Sequence, residues 1–263
     1  MIVLSGVAAD TTNAKPTPLL YDDGSFDYVP IPETARDATV ETKTYADVSM
    51  RNGTADEYLN RIYPGGGDRA VSDDELEDFP LHHDPNFEAL TYGERRPAYV
   101  KRLRKLKEGD AVAFYTGLSN ASEDALHRYV IGYFVVDNVV YFDALNDPEA
   151  RERIREHPEN AHTKRFEATG EVDDNLVIVE GREGGLLDEA FRISQRIPSG
   201  HYYLRDDLQE AFDPEPSGRD DRNAYLGGIK QAHVLRVGVD NFLDTIAQRV
   251  HAHMLASTRN TCP

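Results

Sequence analysis

The sequence has few cysteines and no long apolar run. Its single cysteine, Cys262, stands next to the last of 263 residues, so no disulfide can form within one chain. The apolar run Met1 to Val7 is too short for a signal peptide or a membrane span. These absences predict a cytoplasmic protein without a membrane partner, and the apolar run predicts a buried first strand.

Lysine is scarce as well. The chain has 47 acidic and 29 basic residues, a formal net charge of -18, and about three arginines for each lysine. Such composition resembles that of proteins from salt-loving archaea, in which hydrated carboxylates maintain solubility while salt screens their repulsion. The alternative is an ordinary acidic mesophilic protein. In a mesophile this net charge argues against a nucleic-acid partner. In a halophile most proteins carry such a charge, so the net charge says little about that partner.

The chain is long enough to bury a sizeable core, and it has neither an internal repeat nor a long linker. We therefore predict one domain over residues 1–257 and a frayed tail over 258–263. Apolar runs that are separated by a polar loop and enriched in β-branched and aromatic residues indicate an antiparallel sheet. The predicted strands are 2–4, 111–117, 129–136, 139–142 (after a turn at 137–138) and 176–179 (before a turn at 181–185). The predicted helices are 55–63, 95–107, 148–156, 204–212 and a C-terminal helix with Asp240 as N-cap. The fold class is α+β.

One segment departs from the acidic pattern. Residues 95–107 contain seven basic side chains and no acidic one, and Pro97 suits a first helical turn. Guanidinium groups on a helix face are typical of phosphate and nucleic-acid backbone binding. Ion pairing with the protein's own acidic surface is an equal alternative.

No strong catalytic signature is present. The chain has no phosphate-binding Walker loop, no G-x-S-x-G elbow, and no C-x-x-C or H-E-x-x-H spacing. The sequence therefore predicts no metal site and indicates no particular cofactor.

Three polar loops are candidate sites. Residues 82–86 (His-His-Asp-Pro-Asn) place His83 and Asp84 on a loop that could bind metal or transfer protons; an Asp-Pro turn with solvated histidines is the alternative. His162 follows His157 in a second loop, where surface histidines are the alternative. Ser5, Asp10 and Asn13 follow the first strand, a frequent position for ligand sites and equally for capping residues.

Two resemblances follow from these segments. Residues 106–136 resemble a hairpin of the PUA-like superfamily, which includes the EVE and ASCH domains and implies a small β-barrel that cradles bases. Most of the chain resembles the nucleotide modification associated domain 3 family. The motifs that carry this second resemblance, in order, are 2–5, 16–18, 23–24, 29–32, 44–48, 83–87, 109–117, 130–132 and 157–162. Together they imply a single domain with a mainly antiparallel, PUA-like β-barrel or strongly curved sheet flanked by helices.

The family resemblance implies a context of DNA base modification, and three hypotheses follow. The leading one is a nucleotide- or nucleic-acid-directed protein whose central pocket lies near Ser5, Tyr115 and the His83–Asp84 loop. In it, Tyr115 would stack on a base, and four cations would contact phosphates: Arg95, Arg96, Arg102 and Lys105. DNA or nucleotide would be the partner, together with other DNA-modification proteins.

The second hypothesis is an enzyme acting on a modified base or nucleotide. His83 or His162 would be its general acid or base, with Asp10 or Asp84 as partner. The third is a non-catalytic interaction scaffold. A concave cavity that collects these side chains would separate the first two hypotheses from the third.

Overall fold

The computed structural model describes residues 1–10, 12–120, 126–216, 224–226 and 232–259. Fourteen strands and six α-helices lie within these ranges, connected by loops and short 3-10 turns. The strands are β1 Ile2–Gly6, β2 Ala14–Lys15, β3 Leu19–Leu20, β4 Ile31–Pro32, β5 Arg61–Ile62, β6 Val71–Ser72, β7 Leu81–His82, β8 Thr91–Glu94, β9 Ala111–Asn120, β10 His127–Tyr141, β11 Val177–Arg192, β12 Ser194–Arg196, β13 Tyr202–Leu204 and β14 His233–Leu235. The helices are α1 Ala55–Tyr58, α2 Pro97–Leu103, α3 Asp147–Arg153, α4 Ala161–Thr169, α5 Asp206–Phe212 and α6 Val239–Arg259.

A curled half-barrel sheet organises the chain. Its strand order is β14-β1-β9-β10-β11-β8, and the short β3 adds to the end of β9. β1 and β3 run parallel to β9 and the remaining neighbours are antiparallel. The predicted α+β class, with a strongly curved, mainly antiparallel sheet flanked by helices, is confirmed.

Two long strands give the sheet its curvature. β10 and β11 are 15 and 16 residues long, and their register shifts at three points between Val130 and Asn138. Such bulges bend a strand and increase its twist. At Gly184 the backbone has φ +127°, and a Cβ would lie 2.1 Å from the carbonyl oxygen of Tyr133. Glycine is therefore required there for the two backbones to approach.

Two turns predicted from the sequence lie inside these two strands, so both predictions are wrong. Residues 137–138 do not reverse the chain: β10 continues through them, and Asn138 pairs with Glu180. Residues 181–185 are likewise inside β11 and not a turn. Polar and glycine residues that indicate turns in the sequence form bulges here, because pairing with the neighbouring strand satisfies the backbone on both sides.

All five predicted helices differ in their bounds. Those predicted over 148–156 and 204–212 differ by a few residues and span Asp147–Arg153 and Asp206–Phe212. The helix predicted over 55–63 ends at Tyr58, and the one predicted over 95–107 spans only Pro97–Leu103. The C-terminal helix begins at Val239, so Asp240 lies in its first turn instead of capping it. The tail predicted over 258–263 overlaps the end of this helix and otherwise lies outside the described residues.

Apolar side chains cover both faces of the sheet. On one face Val3, Phe114 and Phe134 pack with residues of α2. On the other face Leu4 and Tyr115 pack with residues of α5 and α6. Neighbouring residues of β1 and β9 thus enter opposite cores, as the two-residue repeat of a strand requires. Residues 9–81 form a third cluster from loops and short strands, which packs beside the sheet.

In the part of the chain that the structure describes, no helix is both long and apolar enough to cross a membrane.

We expect one buried histidine to make the stability of the fold decrease in acid. His233 of β14 pairs with Leu4 and is 3% exposed; burial, aided by the charge of Arg102, lowers its pKa to about 4. A histidine in the unfolded chain titrates near pH ~6.5, so between that pH and about 4 only the unfolded state binds this proton. The free energy of unfolding should fall as the pH falls through this window.

The test is urea denaturation at several pH values for the wild type and His233→Gln. The variant should lose part of the pH slope, by at most about 1.4 kcal/mol per pH unit for one proton. Identical slopes for the two proteins would contradict the prediction.

Candidate functional site

A cavity of about 620 Å³ opens beyond the end of β1. It forms where the loop after β1 meets β4, β7, the edge strand β8, the start of α2 and one side of α4. Its lining residues are Gly6, Val7, Ala8, Asp10, Thr12, Asn13, Ile31, Pro32, Thr34, Gly65, Gly66, His82, Asp84, Tyr92, Gly93, Glu94, Arg95, Arg96, Pro97, His162 and Arg165.

Two histidines and an aspartate form the floor of the cavity. His82, Asp84 and His162 are 6%, 6% and 5% exposed, and one nitrogen or oxygen atom from each lies within 4.8 Å of the others. The Nε2 atoms of His82 and His162 are 3.9 and 3.5 Å from Oδ2 of Asp84. The imidazole rings are perpendicular, with centroids 5.0 Å apart. Two imidazoles and one carboxylate at this spacing can exchange protons or coordinate a cation.

Backbone geometry holds this floor in place. The Gly93 amide donates to both carboxylate oxygens of Asp84, at 2.9 and 3.0 Å. A Cβ at Gly93 would lie 2.2 Å from Cδ2 of His162, so only glycine allows this ring to reach the strand. His162 lies in the first turn of α4, where Oδ1 of the N-cap Asn160 accepts its backbone N–H.

A second set of charged groups lies behind the histidines. Nδ1 of His82 is 3.1 Å from Oε2 of Glu33, and Nδ1 of His162 is 2.6 Å from Oδ2 of Asp173. Arg165 joins the two carboxylates, donating to Glu33 at 2.7 Å and to Asp173 at 2.9 Å. All of these side chains are largely buried.

These contacts shift the ionisation of the network. Burial alone would lower the pKa of His162, but hydrogen bonds and charge from Asp173 and Asp84 outweigh it and raise the pKa to about 9. Burial acts to raise the pKa of Glu33, yet His82 and Arg165 lower it to about 2. The pKa of Asp173 is also lowered, against its burial, by His162 and the arginines. The carboxylates are therefore ionised at neutral pH.

A chain of polar contacts forms another wall. Ser5 Oγ is 2.8 Å from the Tyr92 hydroxyl, which donates to Oε2 of Glu94 at 3.0 Å. Glu94 also accepts from Nε of Arg96, at 2.9 and 3.1 Å, and the Arg96 guanidinium lies 3.8 Å from the centre of the Tyr99 ring. Ser5 is fully buried and reaches the cavity only through Tyr92.

The cavity collects some of the predicted site residues and not others. Those that line it are Asp10, Asn13, Asp84, Arg95, Arg96 and His162. The structure places five others away from the lining: Ser5, His83, Tyr115, Arg102 and Lys105.

Local geometry explains the positions of His83 and Tyr115. His82, the last residue of β7, lines the cavity, whereas His83, the next residue, has Lys43, Glu41 and Glu88 as charged neighbours. Tyr115 is 1% exposed and packs in the core on the opposite face of the sheet.

The two predicted cations later in the basic segment, Arg102 and Lys105, contact the protein itself. Arg102 donates to the Ala98 carbonyl at 3.3 Å, and Lys105 pairs with Glu215 at 2.5 Å.

Comparison with known proteins now adds the family. The family model described as nucleotide modification associated domain 3 matches residues 1–226. This chain belongs to that family. No curated protein and no solved structure matches it. The matched range contains every residue of the cavity floor and of the charged groups behind it, and it ends before α6.

Sequence reasoning missed several groups in this member of the nucleotide modification associated domain 3 family. Glu33, Tyr92, Glu94 and Asp173 lie in different segments, and no local spacing connects them. Arg165 had a detectable signal, because it follows His162 by three residues on α4 and so shares its helix face. His82 also had a detectable signal. Alternate residues of an extended segment point to the same side, so His82 points to the same side as Asp84.

Proposed function

We propose that this chain binds a nucleotide, or a base within nucleic acid, in the cavity beyond β1. The observation that carries the proposal is the convergence of a polar floor, two loop walls and an arginine rim on one concave site. The family name adds a nucleotide-modification context. The volume of about 620 Å³ falls in the range of small-ligand sites, about 300–1,000 Å³.

The wall after β1 supplies groups suited to a base. Asp10 and Asn13 line it beside the backbone of residues 6–8. A short turn orders this loop, since Oδ1 of Asp10 accepts from the amide and the hydroxyl of Thr12, at 3.0 and 2.7 Å. Carboxylate and amide groups of this kind pair with the donor and acceptor edges of bases.

Arg95 is the rim cation best placed for a phosphate. Its side chain is 51% exposed, and its Nε is 3.7 Å from Asp173, a weak contact that a phosphate can replace. Arg96, in contrast, is held by Glu94 and stacked over Tyr99. Arginine suits this role because its planar fork matches two phosphate oxygens.

The rest of the basic segment is used within the protein. Arg104 pairs with Asp143, and Lys105 pairs with Glu215. These contacts support the intramolecular alternative for that part of the segment, and they restrict the proposed phosphate contact to its first residues.

The test is calorimetric titration of the protein with nucleoside monophosphates and with short single- and double-stranded DNA, modified and unmodified. We expect Arg95→Ala to weaken binding about tenfold, since a charge-assisted hydrogen bond contributes about 1.5–3 kcal/mol. The variant should also lower the salt dependence of binding to DNA by about one phosphate contact.

Arg102→Ala is the matched control, because it removes an arginine from the same basic segment outside the cavity. It should leave the affinity unchanged. Equal affinities for both variants, or no wild-type binding at about 1 mM ligand, would remove the support for the proposal.

A further inference from the structure

We propose that His82, Asp84 and His162 form a mononuclear site for a divalent transition-metal ion at the floor of the cavity. One ligand atom from each residue lies within 4.8 Å of the others, and the proposed ligand atoms are the Nε2 atoms of both histidines and Oδ2 of Asp84. The ligands come from β7, from the loop after it and from α4, separated by about eighty residues of sequence. No sequence spacing therefore reveals the site.

The distances between these atoms suit coordination better than direct hydrogen bonding. The two Nε2 atoms are 3.9 and 3.5 Å from Oδ2 of Asp84, longer than the usual ~2.7–3.2 Å of a hydrogen bond. Two ligands bound at about 2.1 Å to one ion lie roughly 3.0–3.5 Å apart. Movements of a few tenths of an ångström would bring each Nε2 atom to this spacing from Oδ2 of Asp84.

The outer contacts orient both imidazoles toward the same point. Each Nδ1 faces a carboxylate, that of Glu33 or Asp173, so Nδ1 keeps its hydrogen while an ion displaces the proton of the His162 Nε2 and binds the lone pairs of both Nε2 atoms. Nη2 of Arg165 also lies 3.2 Å from Nδ1 of His82, but it donates to Glu33 at the shorter distance of 2.7 Å. Carboxylate–histidine–metal arrangements of this type orient the ligands and increase their basicity.

The charge of the network matches a divalent ion. Glu33, Asp84 and Asp173 contribute three negative charges and Arg165 one positive charge, so two negative charges remain once an ion displaces the proton of His162 and both histidines are neutral. Arg95 approaches Asp173 from the solvent side, where its charge is partly screened. Buried charges are costly unless they are paired or coordinate a metal, and an ion at the floor would neutralise this excess.

The ligand types select the ion. Two imidazoles and one carboxylate suit Fe²⁺, Mn²⁺, Co²⁺ or Zn²⁺, whereas Mg²⁺ and Ca²⁺ prefer oxygen ligands. Three protein ligands leave coordination positions open, and all three residues line the cavity. Those positions would therefore face a bound ligand, and for the nucleotide proposed above they would bring the ion to a phosphate or a base.

The test is titration of the full-length, tag-free protein with Co²⁺, followed by its visible absorption, and with Zn²⁺ by calorimetry. We expect one ion per chain. Asp84→Asn and His162→Gln should each weaken binding more than ~100-fold, because each removes one of three ligands. Asp173→Asn, which alters an outer contact, should weaken it by about 10–100-fold.

His83→Gln is the matched control, since it changes the neighbouring histidine that lies outside the cavity, and it should bind Co²⁺ as the wild type does. Circular dichroism would verify that each variant is folded. Absence of Co²⁺ and Zn²⁺ binding by the wild type, or equal affinity in folded Asp84→Asn and His83→Gln, would overturn the proposal. The metal site does not depend on the proposed nucleotide binding: Co²⁺ binding without any nucleotide binding would retain the site and reject only that function.

Discussion

Replacing Arg165 with alanine is expected to lower the free energy of unfolding by about 3–5 kcal/mol. Arg165 is 13% exposed and donates to Glu33 at 2.7 Å and to Asp173 at 2.9 Å, whose side chains are 1% and 14% exposed. Without the guanidinium, two buried carboxylates lose their shared cation. The cost arises mainly from this uncompensated burial of charge.

Urea denaturation of the two proteins at neutral pH measures the difference. Arg153→Ala is the control, because Arg153 pairs with Glu156 on the surface, where the two side chains are 38% and 51% exposed. Exposed ion pairs contribute about 0–1 kcal/mol, so this variant should stay close to the wild type. A similar loss in both variants would show that Arg165 does not act through the buried carboxylates.

Phe114→Ala is expected to destabilise the protein by about 3–5 kcal/mol, through lost burial and the cavity left behind. Phe114 is fully buried. Its ring makes edge-to-face contacts with Phe87, Tyr92 and Phe134, at centroid distances of 5.4, 5.1 and 4.7 Å. Tyr92 lines the cavity, so this substitution also removes packing that supports the wall of the site.

The same denaturation measurement applies, with Leu186→Ala as the control. Leu186 is 43% exposed, and surface substitutions usually change stability by less than about 0.5 kcal/mol. If Phe114→Ala lost no more stability than Leu186→Ala, the aromatic cluster would not be a main contributor to the core.

Local patterns in the chain were sufficient for much of the sheet. Residues 111–117 and 129–136 are apolar runs rich in β-branched and aromatic residues, and they form the antiparallel pair of β9 and β10. The turns predicted at 137–138 and 181–185 were wrong because turn-forming residues also form bulges. Only the neighbouring strand, which supplies partners along the full length of β10 and β11, decides between these outcomes.

The candidate site was predictable only in part, because residue types are visible in the sequence and side-chain directions are not. Asp84 and His162 stood out as polar residues in loops, and both line the cavity. The predictions of His83 and Tyr115 as site residues were wrong in position, since His82 and Tyr92 line the cavity instead, because side-chain direction depends on register and on which face of a strand is buried. A one-residue shift moves a side chain to the opposite side, and chemical type alone does not determine it.

The scarcity of cysteine and of long apolar runs, the single domain, the curved sheet and the family were all determined by the sequence itself. These properties depend on composition, on local runs of apolar residues and on short motifs in a fixed order along one chain. The tertiary structure alone decided that Glu33, His82, Asp84, His162, Arg165 and Asp173 meet in one buried network. Segments far apart in sequence contact each other only when the sheet curls and α4 packs against its edge, and the properties of the network depend on distances that no single segment contains.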